Sequence, residues 1–247
     1  MDKGLYIAMT GAKHNMLAQT VHANNLANAN TTGFRAEFAQ ARSMGVYYGE
    51  GHATRAYSLT ESPATDFTPG AMIETGRELD FAVQGEGLIA VQAPDGKEAF
   101  TRAGAMNLGA NGELFTSNGL PVMGDGGPIV IPPAEKVDIG ADGTITVLAA
   151  GEGAATLVQV DRIRLVNPPI EDLRKGEDGL LRAKPGVEVE VDGNIRLESG
   201  FLESSNVNAI NEFTQILSLA RQYEMNVKMM KTMEENSESS ARLLQPS

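Results

Sequence analysis

The sequence predicts an α+β protein in which both chain ends form one discontinuous, coiled-coil-like helical domain and the middle forms a mostly antiparallel β domain. Three observations carry that expectation. Glycine occurs 3 times in residues 1–42, 24 times in 43–202 and not at all in 203–247, so two glycine-poor ends flank a turn-rich centre. Apolar residues in the two ends repeat at alternating three- and four-residue steps. In the middle, Asp-Gly and Asn-Gly pairs separate short alternating segments. The expected division is a helical domain from 1–33 and 203–247, connecting extended segments at 34–80 and 181–202, and a central β domain at 81–180.

At the amino end, Leu5, Met9, Ala12, Met16, Ala23 and Leu26 form a heptad stripe with Gln19 filling the remaining place. The helix is predicted to stop at "NANTTG", residues 28–33, where Asn28, Asn30 and Gly33 suit a helix end. Asn24 and Asn25 lie a turn inside the helix, where asparagine is a mediocre helix former. A packed assembly in which Asn24, Asn25 and Asn28 meet neighbouring helices accounts for them.

The middle contains Asp95-Gly96, Asn111-Gly112, Asp142-Gly143 and Asp192-Gly193, each read as a two-residue hairpin turn whose residues take positive φ. Val187, Val189 and Val191 alternate with Glu188 and Glu190, the pattern of a half-buried strand. At the carboxyl end Ala209, Phe213, Ile216, Ala220, Tyr223, Val227 and Met230 repeat the heptad steps, with Ile210 and Leu217 on an adjacent row. Neither stripe can be covered by its own helix, so both are expected to be buried against other copies or relatives.

Composition excludes several functions. The net charge of -12 lies in the middle of the chain and disfavours a nucleic-acid or anionic-lipid partner. With no cysteine there is no disulfide framework and no thiolate chemistry. No segment has the length and apolarity of a signal peptide or a membrane span, which excludes membrane insertion and makes any export independent of a cleaved signal.

The blocks "NNLANANTTGFR", "ELDFAVQGEGLIAVQAPDGKEAFTRAGAMNLGANGELFTSNGLPVMGDGGPIVIP" and "SGFLESSNVNAINEFTQILSLARQYEMNVKMMKTM" resemble the axial proteins of the bacterial flagellum, the rod and hook subunits. The blocks occur in the family's order and cover about half the chain. Within the family, the length and "TPGAMIETGRELDFAVQ" resemble a proximal rod subunit, with a distal rod subunit as the alternative. One departure is Leu88 after Gly87, where many relatives carry an aromatic pair. The resemblance implies a structural subunit, without catalytic, metal or cofactor sites, that assembles with copies of itself and other rod proteins into a torque-transmitting shaft. It also implies export through the flagellar type III apparatus and a periplasmic place in the basal body. The expected assembly residues are Leu5, Met9, Met16, Leu26, Asn24, Asn25, Asn28, Ile210, Phe213, Ile216, Leu217, Tyr223, Val227 and Met230.

Candidates for chemistry are weak. His14 and His22 stand eight residues apart on one helix, about 12 Å along its axis, too far to share a metal. His52 falls in a polar loop. The pairs Glu188/Glu190, Asp138/Asp142 and Glu234/Glu235 could host acid-base work on a wall polymer, but alternating or consecutive acids are ordinarily a solvated face. A periplasmic wall-acting enzyme is therefore a remote alternative.

Overall fold

A computed structural model of the chain describes residues 3–47, 52, 55–61, 63–149 and 157–243. The chain divides into two compact units. One comprises 1–29, 36–66 and 207–247; the other comprises 30–35 and 67–206. The stretch 34–80, expected as a connector, is thus shared between the two, and 181–202 belongs wholly to the second.

The first unit is a helix pair with a β-hairpin. Helix α1, Lys3–Ala27, ends where the Asn28 side-chain amide donates to the Asn24 carbonyl at 2.9 Å, offering the last turn a substitute partner. Helix α2, Ala209–Leu243, begins under Asn208, whose Oδ1 accepts from the backbone nitrogens of Ile210 and Asn211 at 3.1 and 3.2 Å, an N-cap. The helices run antiparallel: His22 meets Glu212, and Gly11 meets Asn226. Strands Ala41–Val46 and Arg55–Thr60 pair in register from Ala41↔Thr60 to Val46↔Arg55, the second lying against α1.

The second unit holds an antiparallel five-stranded sheet. Its order is Leu165–Val166, Leu88–Gln92, Glu98–Thr101, Leu181–Ala183 and Leu173–Lys175. The segment "LIAVQ" reads as a continuous apolar run because both faces of its strand are covered. Ile89 and Val91 enter a large cluster with Phe81, Met106, Leu114, Ile129 and Ile145, while Leu88 and Ala90 join Phe100, Val166 and Leu181 on the other side. Leu88, the departure from the family pattern, is thereby buried.

Three of the four expected hairpins are present, at Asp95-Gly96, Asn111-Gly112 and Asp142-Gly143. Their loops are longer than two residues: each closes between positions four apart, Ala93 to Lys97, Gly109 to Glu113 and Gly140 to Thr144. Only the glycines, Gly96, Gly112 and Gly143, take positive φ, of 77°, 82° and 85°. Asp95 and Asp142 instead accept hydrogen bonds from the amides of Lys97 and Thr144, at 3.1 and 3.2 Å.

The fourth hairpin is not formed. Residues 187–190 are irregular, Val191 makes only an isolated bridge to Val166, and Arg196–Ser199 pairs with Phe81–Gln84. Asp192 folds back locally to accept from the Asn194 amide at 2.9 Å, so the turn chemistry is satisfied without returning the chain on itself.

Candidate assembly interface

Each terminal helix carries neighbouring heptad rows; on α1 the fold turns inward the row one residue before the apolar stripe, and on α2 a row that shares three residues with the stripe. The inward row of α1 is Gly4, Ala8, Gly11, Asn15, Ala18, His22 and Asn25, all buried or half-buried, with Ala12 buried beside them. The facing row of α2 is Glu212, Ile216, Leu219, Tyr223, Asn226, Met230 and Met233, none of them fully buried. Small side chains on α1 let the two backbones approach; a Cβ on Gly11 would stand 3.3 Å from the Asn226 amide. The larger side chains on this side all come from α2, where Ile216, Leu219, Met230 and Met233 are half-buried.

The consequence appears on the outside. Met9 and Met16, two of the expected assembly residues, are turned outward, and Tyr6, Ile7 and Leu17 are exposed with them. Ile210 is 77% exposed and Phe213 55%, and Leu217 and Val227 are exposed as well. Leu5, Leu26, Ile216 and Met230 are half-buried, and Tyr223 lies at the edge of exposure. The inward row of α2 thus shares Ile216, Tyr223 and Met230 with the apolar stripe of the sequence, and has Glu212, Leu219 and Asn226 in place of Phe213, Ala220 and Val227, which lie beside it.

The asparagines have separate roles. Asn25 is almost fully buried; its amide donates to the Glu37 carbonyl at 2.8 Å and its oxygen accepts from the Glu37 nitrogen at 2.9 Å. One side chain thereby completes a backbone-like pair of hydrogen bonds and is occupied inside the unit. Asn24 is exposed and serves Asn28 locally. Between the helices, His22 Nδ1 and Glu212 Oε2 lie 2.6 Å apart, with the Asn25 amide donating to the same oxygen at 3.4 Å.

Residues that sequence reasoning passed over form the most polar buried feature of the second unit. Glu203, only 2% exposed, lies between Arg35 and Arg102, with ion-pair distances of 2.5 and 2.8 Å. Glu203 Oε1 also accepts from the Gly70 nitrogen at 2.9 Å. Arg102 donates to the carbonyls of Gly87 and Gly85 at 2.7 and 2.6 Å, and Arg35 donates to that of Thr68 at 2.6 Å. Two guanidiniums around one carboxylate survive burial because their remaining N–H groups find carbonyls. Burial lowers the Arg102 pKa below its ordinary value, Glu203 opposing and Arg35 adding to the shift.

Gly33 belongs to the same construction. It sits at φ +69°, its nitrogen donates to the Glu203 carbonyl at 2.8 Å, and a Cβ would run into the backbone of Arg102 and Ala103. Lys175 closes the edge, its ammonium 3.9 Å from the centre of the Phe34 ring and donating to the Arg35 carbonyl at 2.7 Å. Residues 30–35 directly follow α1, and 203–206 directly precede α2. Both chain segments leading to the helices are therefore anchored in the β unit.

The candidates for chemistry remain apart. His14 approaches Thr60 at 3.4 Å, His52 is exposed, and no group of three potential metal ligands occurs among the described residues. Glu188, Glu190, Glu234 and Glu235 are exposed, and Asp142 is held by Thr144, which lowers its pKa. No helix of the described residues is long and apolar enough to cross a membrane.

Comparison with known proteins matches three family models in chain order. Residues 5–35 match the flagella basal body rod protein model, 82–147 the D1 domain of flagellar hook protein FlgE/F/G, and 198–243 the C-terminal model of the basal body rod proteins FlgEFG. Each segment supplies one member of the buried cluster: Arg35, Arg102 and Glu203. Among whole proteins, the chain is 39% identical to the flagellar basal-body rod protein FlgF of Salmonella typhimurium, over 99% of both chains. It is 38% identical to FlgF of Escherichia coli over the same shares, and 33% identical to FlgG of Agrobacterium fabrum over 94% of this chain and 96% of that one. With both terminal helices, the β unit between them and nearly the whole length matched, the chain belongs to the family of flagellar basal-body rod proteins, in its FlgF branch.

Proposed function

We propose that the chain is a structural subunit of the proximal rod, joining copies of itself and other rod proteins through the outward rows of α1 and α2 to build a shaft that transmits torque. The observation that carries this reading is the packing of the helix pair, with the small residues of α1 inside and Met9, Met16, Ile210, Phe213, Leu217 and Val227 outside. Isolated soluble proteins seldom present two such rows together. Each Leu, Ile or Phe that a neighbour covers contributes about 1.5 to 3 kcal/mol, so several such contacts suffice to favour assembly. Surfaces that differ from their complements join head to tail and propagate as a helical array when the rotation does not close.

The chain works without a catalytic group, consistent with relatives named as rod proteins. Its place is the periplasmic part of the basal body, reached through the type III export apparatus. A distal position is the second reading, favoured by the likeness to FlgG; electron microscopy of basal bodies with and without the chain separates the two. The central test is the double substitution Phe213→Asp and Leu217→Asp. The variant is expected to remain a soluble, β-rich protein that fails to enter isolated basal bodies and to support motility. Motility at the wild-type level would overturn the assembly surface.

A further inference from the structure

The chain holds all of its sulfur in 11 methionines, with no cysteine. These thioethers are partitioned by the fold. Met106 is fully buried in the β core, whereas Met9, Met16, Met225 and Met229 are each more than half exposed on the two helices. Met44 and Met72 are exposed as well, but on strands outside the helix pair. The spacing is ordered: Met9 and Met16 are seven residues apart and Met225 and Met229 four apart, so each pair shares one helix face.

We infer that Met9 and Met16, the two of these four that lie on the assembly surface, are an oxidation site of the unassembled subunit, modified by hydrogen peroxide to sulfoxides that keep the chain from joining the rod. The inference rests on the assembly surface proposed above. The chemistry is an oxygen-atom transfer. A sulfur lone pair attacks one peroxide oxygen, the S–O bond forms as the O–O bond breaks, and sulfur loses two electrons. The departing hydroxide takes the proton of the transferred oxygen and leaves as water. The product replaces an apolar thioether by a polar S–O group that accepts hydrogen bonds.

The position of that oxygen decides the effect. On a solvated side chain the change is tolerated; on a row that must be dried against a neighbour, the new acceptor loses its water without gaining a partner. Once a copy is covered by its neighbours, the same sulfurs are out of reach of the oxidant. The modification would therefore act on free subunits and leave built rods intact, and since methionine sulfoxide is enzymatically reducible, the block is reversible.

The test has two arms. In the first, the purified full chain is treated with limiting hydrogen peroxide and its peptides are weighed by mass spectrometry over time. Sulfoxide is expected at Met9, Met16, Met225 and Met229 well before Met106; oxidation of Met106 at the same rate would overturn the site. In the second, cells lacking their own copy express the double variants Met9→Gln/Met16→Gln and Met9→Leu/Met16→Leu, and the chain in isolated basal bodies is quantified. Both replacements are good helix formers, so they differ chiefly in polarity. The Gln version is expected to enter roughly ten-fold less than the Leu version, the scale of burying an unpaired polar group. Equal entry, or equal loss, in the two versions would overturn the inference. The variant Phe213→Asp/Leu217→Asp is carried alongside: if it too enters the rod, the assembly surface itself is refuted, and with it this inference.

Discussion

The two units of the molecule place their apolar residues in opposite ways. In the β unit the large side chains are inside: Phe81, Phe100, Ile89, Met106 and Leu114 are fully buried. In the helix pair the fully buried positions are Ala8, Ala12, Asn15, Ala18 and Asn25, all on α1 and all short. The larger side chains that α2 lays over them, Ile216, Leu219 and Met230, are only half-buried, and Met9, Met16, Ile210 and Phe213 face outward. The β unit thus satisfies itself, while the helical unit holds its two helices together only as far as partial contacts and a few hydrogen bonds allow. The lesson is that amphipathicity alone does not say which face a helix buries at home and which it keeps for neighbours. On α1, side-chain size along each row does.

If the β unit is the self-sufficient part, its buried charges should be the costliest place to disturb. Glu203→Ala leaves Arg35 and Arg102 facing each other without a carboxylate, and is expected to destabilise that unit by about 3 to 5 kcal/mol in urea unfolding. Hydrogen exchange at residues 30–35 and 203–206 should accelerate with it, since those segments are held by the same cluster. A loss below about 1 kcal/mol would mean that the cluster is incidental to the fold.

The helix pair should respond to smaller, local insults. Ala18→Leu adds bulk to the closely packed inner row and is expected to cost about 1 to 3 kcal/mol of helix-pair stability. Asn25→Ala removes both hydrogen bonds to Glu37, for about 1 to 3 kcal/mol. Hydrogen exchange at the Glu37 amide reads the second substitution directly. Unchanged protection at that amide would show that the bond to Asn25 is not what holds it.

Much of this arrangement is legible in the sequence. The glycine distribution divides the chain into helical and β regions because glycine is tolerated in turns and penalised in helix interiors. The Asp-Gly and Asn-Gly pairs mark three hairpins for the same reason. The fourth fails because Asp192-Gly193 makes a local turn while Arg196–Ser199 finds Phe81–Gln84, far away in sequence. Which row of α1 turns inward is harder to read. Leu5, Met9 and Met16 dominate any hydrophobic reading, yet Gly4, Ala8, Gly11, Asn15 and Ala18 follow the same steps one residue earlier and mark the close approach. Arg35, Arg102 and Glu203 carry no local signal at all, because each is an ordinary charged residue until the fold brings the three together.

The smallest expected effect is the one that sharpens the comparison most. Phe213→Ala removes a large aromatic side chain, and in a core such a change costs about 3 to 5 kcal/mol. Phe213 is more than half exposed, so in the free subunit the substitution should alter stability by no more than about 0.5 kcal/mol, either way. Ile89→Ala, in the buried strand Leu88–Gln92, supplies the contrast at about 2 to 5 kcal/mol in the same measurement. The ordering should reverse for entry into the rod. There Phe213→Ala should lose incorporation although the subunit is as stable as before, because the ring's burial is completed only by a neighbour. A free subunit strongly destabilised by Phe213→Ala would place that ring in an internal contact, and the distinction between a self-buried β unit and a neighbour-buried helix pair would no longer hold.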